Sequence, residues 1–280
     1  MPILPFQHLR CPLDGGRLQP KGSSLCCPVG HSFDLASQGY VHLLPVQQKR
    51  SRDPGDSKDM VAARRRFLNG GAYAPIATAL AHASLKGLPD DGVLSCLDAG
   101  CGEGYYLRQL AEAAGATQTL EILGLDISKW AVIAAARQDR RPGWVVGSNA
   151  NLPVVSATLD RVLCLFGFPV YSEFARVLKR GGRLLQVDAG PDHLRELRAL
   201  IYPSLKPERT KESAVPDGFA HHATDTVRFE LALHSTEQIA DLLAMTPHLH
   251  RATAEGRTRA AALTALTVTV DVRLTQFERV

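Results

Sequence analysis

Two short stretches hold most of the side chains able to do chemistry. In Leu97-Asp98-Ala99-Gly100-Cys101-Gly102-Glu103-Gly104, three glycines alternate behind an aspartate. Alternating glycines let a chain turn tightly after a strand and come close to a ligand. A dinucleotide loop spaces its glycines G-x-G-x-x-G and sets a pyrophosphate on a helix N-terminus. Here the spacing is G-x-G-x-G, and Asp98 sits just before the turn. An acid there suits a ligand with an amino-acid ammonium group better than a diphosphate. S-adenosylmethionine is such a ligand, with a methionine end and a sulfonium but no phosphate. Asp126 closes the next apolar run, in GLDIS, where a carboxylate accepts hydrogen bonds from ribose hydroxyls. Asn149, in GSNANLP, follows the third run and would meet an adenine edge.

The second stretch is CPLDGGRLQPKGSSLCCPVGH, Cys11 to His31. Cys27-Pro-Val-Gly-His31 has metal-ligand spacing. A metal knuckle would begin with C-x-x-C, but Asp14 replaces the second cysteine, and Cys26 stands beside Cys27. These residues leave three readings open: a zinc site that has moved a ligand, a site without its metal, or coincidence.

These stretches sit in a chain of 280 residues, enough for a large domain with a small appendage. An apolar fraction of 45% and a charged fraction of 21% are those of a globular protein. No apolar run reaches membrane-spanning length, and the N-terminus lacks a signal-peptide core, so a cytoplasmic location is expected. Six scattered cysteines read as thiols and metal ligands rather than a disulfide framework. The net charge of +4 is mild, but Lys49, Arg50, Arg52, Lys58, Arg64, Arg65 and Arg66 cluster in one segment. That segment is either a phosphate-facing surface or a solvated charged loop and helix face.

The elements that must position these residues alternate. VLSCLDAG, LEILGLDIS, WVVGS, LDRVLCLFG and GRLLQVDAG read as strands, and GYYLRQLAEAAG, KWAVIAAARQD and EFARVLKRGG as helices, the last capped by Gly181-Gly182. Such alternation predicts a doubly wound, mostly parallel α/β sheet with ligands at the carboxyl ends of its strands. VRFELALH and ALTVTVDVRLTQF would add an antiparallel edge, making seven strands. Residues 1–45 form a zinc-ribbon-like appendage whose few apolar residues want a metal for stability. Residues 46–92 form a basic linker and two helices, and residues 93–280 the main domain.

The run GYVHLLPVQQKRSRDPGDSKDMVAARRRFLNGGAY followed by LDAGCGEGYY resembles the RlmA-type 23S rRNA guanine-N1 methyltransferases, with KRSRDPGDS nearer their Gram-negative branch. The resemblance covers almost the whole chain and is weakest at the ribbon's second ligand and between Pro203 and Thr226. It implies a class I (Rossmann-like) methyltransferase fold with an N-terminal RNA-recognition ribbon. It implies methyl transfer from S-adenosylmethionine to N1 of a guanine in hairpin 35 of 23S rRNA, by a homodimer. Matched position by position, it adds Tyr73, Gly102, Glu103 and His193 as cofactor contacts. The family ribbon is C-x-x-C then C-x-x-x-H, which places Cys11, Asp14, Cys27 and His31 at the zinc ligand positions, with Cys26 as an alternative to Asp14.

Guanine N1 carries a proton at neutral pH, so its methylation needs a base or donors that stabilise negative charge on O6. Phe168 or Tyr171, in FGFPVY after the fourth strand, would either stack on an extruded guanine or serve as buried core aromatics. Asp188, closing GRLLQVD, is a candidate proton acceptor or a structural cap; no catalytic residue is assigned. Lys49, Arg50 and Arg52 would contact RNA phosphates. Two other readings remain: a methyltransferase for another RNA or a small molecule, and a non-catalytic S-adenosylmethionine-binding protein.

Overall fold

The computed structural model describes residues 3–48, 51, 53–87, 92–115, 118–204 and 214–280. Lys49, Arg50 and Arg52 therefore lie outside the described residues. The Cys/His segment forms three antiparallel strands, β1 (Gln19–Lys21), β2 (Ser24–Cys26) and β3 (Ser32–Asp34), in that order across a small sheet. Then come β4 (Val41–His42), a short 3-10 turn at Val46–Gln48, α1 (Lys58–Asn69) and α2 (Ala74–Leu85). Ser57 caps α1 by accepting from the Met60 amide, as Ser and Asp do at helix starts.

The alternating region follows as β5 (Val93–Ala99), α3 (Tyr105–Ala114), β6 (Thr119–Asp126), α4 (Lys129–Gln138), β7 (Gly143–Val146), β8 (Leu159–Leu165), α5 (Tyr171–Val177) and β9 (Leu178–Ala189). The tail holds α6 (Arg195–Ile201), β10 (Phe219–Leu233), α7 (Thr236–Ala244), α8 (His248–Arg251), α9 (Ala254–Ala261) and β11 (Leu266–Arg279). The large sheet runs β10-β11-β9-β8-β5-β6-β7-β4. Its central strands β5, β6 and β8 are almost wholly buried, as parallel strands covered on both faces must be. Strand order reverses between β5 and β8, which opens a crevice at their carboxyl ends.

Two expectations change. Among the described residues the sheet has eight strands, because β4 pairs in parallel with β7 through Val41 and Val145. In the tail only β11 runs against the sheet. It pairs antiparallel with both β9 and β10, so β10 at the edge runs with the parallel strands. A third difference is local. α5 ends at Val177, and Gly181-Gly182 bend β9 rather than cap the helix. Gly181 has φ +76°, and a side chain on Gly182 would meet the Lys179 carbonyl at 2.8 Å. The bend appears as a register shift between Leu159 and Arg161.

The ribbon is joined to the large sheet. The Leu4 amide donates to the Leu120 carbonyl at 2.8 Å and the Arg10 amide to the Pro153 carbonyl at 3.0 Å. Cys11, Leu18, Leu25 and Cys27 share one apolar cluster with Leu123, Val145 and Val154 on a face of the sheet. The short ribbon strands thus borrow the burial they cannot supply themselves. No helix among the described residues is long and apolar enough to cross a membrane.

Candidate cofactor and acceptor site

The glycine turn connects β5 to α3, and Gly100, Gly102 and Gly104 all have positive φ. Gly104 is required twice over. Its φ is +81°, and an added Cβ would lie 2.5 Å from the Trp144 ring, which fills the space beneath the turn. Above the turn, Arg64 of α1 lies 3.6 Å from where a Gly102 Cβ would stand.

Asp98 and Asp126 sit at the ends of adjacent strands. Asp126 accepts from the Gly102 amide at 2.9 Å and the Ser128 amide at 2.8 Å, one on each oxygen, so each keeps a lone pair for another donor. Asp98 is buried, and neither of its oxygens has a partner. Burial, reinforced by the nearby Asp126 charge, pushes the Asp98 carboxyl up to about 8. An orphaned buried carboxyl is costly unless a ligand donates to it, and an ammonium group supplies both donors and charge. Asn149 follows β7; its amide nitrogen reaches the Ala99 carbonyl at 3.4 Å, while its oxygen has no partner. These unsatisfied acceptors around a glycine turn fit the donors of S-adenosylmethionine.

Glu103 is different. Its buried carboxylate is held by Arg108 at 2.9 Å and by the Gln138 amide, tying α3 to α4. Its side chain is spent on the scaffold, which leaves its backbone for any ligand contact.

Beyond the acids lies an aromatic group drawn from three distant segments. Tyr73, at the start of α2, packs edge-on against Phe67, with Phe166 and His193 both 6.3 Å away between ring centroids. His193, in the turn after β9, stacks on Phe166 at 5.7 Å and 25°. Its Nδ1 accepts from the Asp271 amide at 3.3 Å, which assigns the ring proton to Nε2. Burial pulls His193 down to about 4, so the ring is neutral at physiological pH. Phe166 has φ +51°, a strained conformation for a bulky residue, of the kind found at functional sites. From sequence alone, Phe168 and Tyr171 are favoured over Phe166. Its only sequence signal is its place at the carboxyl end of a core strand, before Gly167.

Phe168 is 90% exposed. Tyr171 is half-buried and donates to the Gln186 side chain at 3.0 Å. Gln186 in turn donates to Asp188 at 2.7 Å. Asp188 is exposed at the end of β9 and caps no helix.

In the ribbon, Cys11, Asp14, Cys27 and His31 bring one ligand atom each within 4.8 Å of the others. Asp14 Oδ2 lies 2.9 Å from His31 Nδ1 and 3.0 Å from the Cys27 sulfur. The Cys27 thiol and the Gly16 amide hold the Asp14 carboxyl well below the usual range. Two sulfurs, one imidazole nitrogen and one carboxylate oxygen form a donor set that fits tetrahedral zinc. Cys26 stands apart: its sulfur contacts Ser32 at 3.5 Å across the β2–β3 pair. Neighbouring strand residues face opposite ways, and the Cys26 sulfur lies outside the cluster of four ligand atoms.

The basic segment divides. Arg64 pairs with Asp56 and donates to the Met245 carbonyl, and Arg66 grips Asp241 through two nitrogens. Both are therefore internal links rather than phosphate contacts.

Comparison with known proteins agrees with this fold. Residues 9–52 match the zinc-ribbon family described as RlmA, N-terminal, and residues 96–186 match a methyltransferase domain. A Micromonospora griseorubida protein provisionally named 23S rRNA (guanine-N(1)-)-methyltransferase is 36% identical, over 96% of this chain and 97% of its own. A Bacillus subtilis protein with the same provisional description is 32% identical over 95% of each chain. The 23S rRNA (guanine(748)-N(1))-methyltransferase of Streptomyces fradiae is 37% identical, over 68% of this chain and 66% of its own. None of these three sources supports the expected nearness to the Gram-negative branch.

Proposed function

Since the chain belongs to the RlmA-type 23S rRNA (guanine-N1)-methyltransferase family, we propose that it methylates N1 of one guanine in hairpin 35 of 23S rRNA, as a cytoplasmic homodimer. The observation that carries the reading is the buried Asp98 carboxyl, left without a partner beside a glycine turn that Asp126 anchors. S-adenosylmethionine, when bound, supplies an electrophilic methyl group. Asp98 would hold the ammonium, Asp126 the ribose hydroxyls and Asn149 the adenine edge. Tyr73, His193 and the backbone of Gly100 to Gly104 would line the rest.

The acceptor side is then the aromatic group. A guanine turned out of an RNA loop stacks readily on exposed aromatic rings. Phe166 offers a ring already backed by His193, and Phe168 a second that is free to close over it. The neutral His193 presents Nε2–H as a donor, and donors toward O6 lower the cost of losing the N1 proton. Positioning supplies most of the remainder, because N1 must be in line with the methyl group.

Cys11, Asp14, Cys27 and His31 would hold zinc, which stiffens the ribbon at one end of the sheet. We infer that residues 1–45 act as the RNA-recognition unit, 46–92 as the basic linker with its helices and 93–280 as the catalytic unit, with Lys49, Arg50 and Arg52 on phosphates. The test is mass spectrometry of hairpin 35 from a strain lacking the protein. Loss of one N1-methylguanosine, restored by the purified protein with S-adenosylmethionine, is expected; an unchanged hairpin overturns the reading.

A further inference from the structure

A second groove lies between α1 and α4, outside the cofactor crevice. Its walls are Lys58, Val61 and Arg65 of α1 and Trp130, Ile133 and Arg137 of α4. On each helix these positions follow the spacing i, i+3, i+7, so they share one face. Ala62 and Ala134 complete the two faces, and their small side chains leave room between the helices. The groove encloses about 320 Å³, within the roughly 300–1,000 Å³ of small-ligand pockets.

Three features set its chemistry. Val61, Ile133 and the alanines form an apolar floor. Trp130 is 39% exposed, unlike the chain's other tryptophan, Trp144, which is buried. Lys58, Arg65 and Arg137 are exposed, and none pairs with a carboxylate among the described residues. No acidic side chain lines the groove. In contrast, Arg64 and Arg66, flanking Arg65, are both tied to aspartates. α1 thus turns one arginine to the glycine turn, one to α7 and one to open solvent at the groove.

We propose that this groove binds a single-stranded segment of the RNA substrate, with a base stacked on Trp130 and phosphates against Lys58, Arg65 and Arg137. The inference rests on the rRNA reading above and deepens it. An aromatic face beside unpaired cations is the pattern that grips unpaired RNA without reading its sequence. A protein partner with a plain apolar surface would leave three cations unneutralised, whereas a polyanion neutralises them all. The groove also sits beside the glycine turn of the cofactor crevice. Arg64, next to Arg65, lies 3.6 Å from where a Gly102 Cβ would stand, and a Cβ on Gly55, just before α1, would come within 2.9 Å of the Ile127 and Ser128 side chains. An RNA strand leaving the crevice over this corner would reach the groove.

The test uses the full chain and a 23S rRNA transcript in filter binding, with S-adenosylmethionine affinity by calorimetry as the folding control. Trp130→Ala should weaken RNA binding about tenfold, the scale of one lost base stack. Trp130→Phe should restore affinity to within about twofold. Arg65→Ala with Arg137→Ala should weaken binding and flatten the log–log salt dependence by about one to two. Cofactor affinity should stay unchanged in all three. RNA affinity and salt slope equal to wild type overturn the proposal. So does a shift in oligomeric state without loss of RNA affinity, which would make a second copy of the chain the occupant. If the wild-type protein binds the transcript through the groove but does not methylate it, the function reading fails and the groove stands.

Discussion

The imidazole of His193 lies nearly parallel to the ring of Phe166, 5.7 Å away and tilted by 25°. The two come from different strand ends, β8 and β9, and Phe166 accepts a positive φ to reach this position. Stacking holds the two rings together at the carboxyl end of the sheet. Phe166→Ala should lower kcat/KM for rRNA by roughly tenfold or more, as loss of a base-stacking ring does. Phe166→Tyr should keep most activity. Steady-state methylation assays decide; equal activity of Phe166→Ala and wild type removes the platform role.

Asp98 gives a pH dependence. Its carboxyl is raised to about 8 in the folded protein, against about 3.9 unfolded. Between these values the native state holds a proton that the unfolded chain has lost. The contribution is therefore full below about pH 4 and is lost as pH rises through about 8. Without cofactor, stability should fall with pH across this window, and Asp98→Asn should flatten the slope. The same variant should bind S-adenosylmethionine at least tenfold more weakly. Denaturant melts at several pH values and calorimetry check both.

Asp14 completes the four-atom donor cluster of the ribbon. Protein purified without chelator should carry one zinc per chain by mass spectrometry. Asp14→Ala should lose most of it and melt several degrees lower, since metal binding is coupled to folding of such ribbons. Cys26→Ala should keep the metal. Zinc retained in Asp14→Ala but lost in Cys26→Ala would reverse the ligand assignment.

Gly104 is a steric requirement. Gly104→Ala places a Cβ 2.5 Å from the Trp144 ring at φ +81°. Overpacking together with a left-handed alanine should cost about 2 kcal/mol or more. Urea denaturation measures it; a loss below about 0.5 kcal/mol would mean that Trp144 moves aside freely.

Much of the glycine turn and its flanking acids was legible in the residues. The glycine turn, Asp98 and Asp126 are specified locally, by strand ends and by backbone angles that only glycine adopts easily. The same holds for the alternating elements, whose apolar periods are written in short windows. The ribbon was legible as a set of ligand types, but not as a choice between Asp14 and Cys26. That choice depends on which way neighbouring side chains face once β2 pairs with β3.

By itself, then, the sequence determined the strand–turn–helix that cradles a cofactor and the family to which the chain belongs. Tertiary structure decided what sequence distance hides. It brought Phe166 against His193, and Val41 beside Val145 to make an eighth strand. It spent Glu103 on Arg108 and Gln138, and Arg66 on Asp241. It left Arg65, with no carboxylate partner among the described residues, across a groove from Trp130 and Arg137. The physical reason is the same in each case. Local backbone preference is set within a few residues, whereas the partner of a charge or a ring is set by which elements the sheet order makes neighbours.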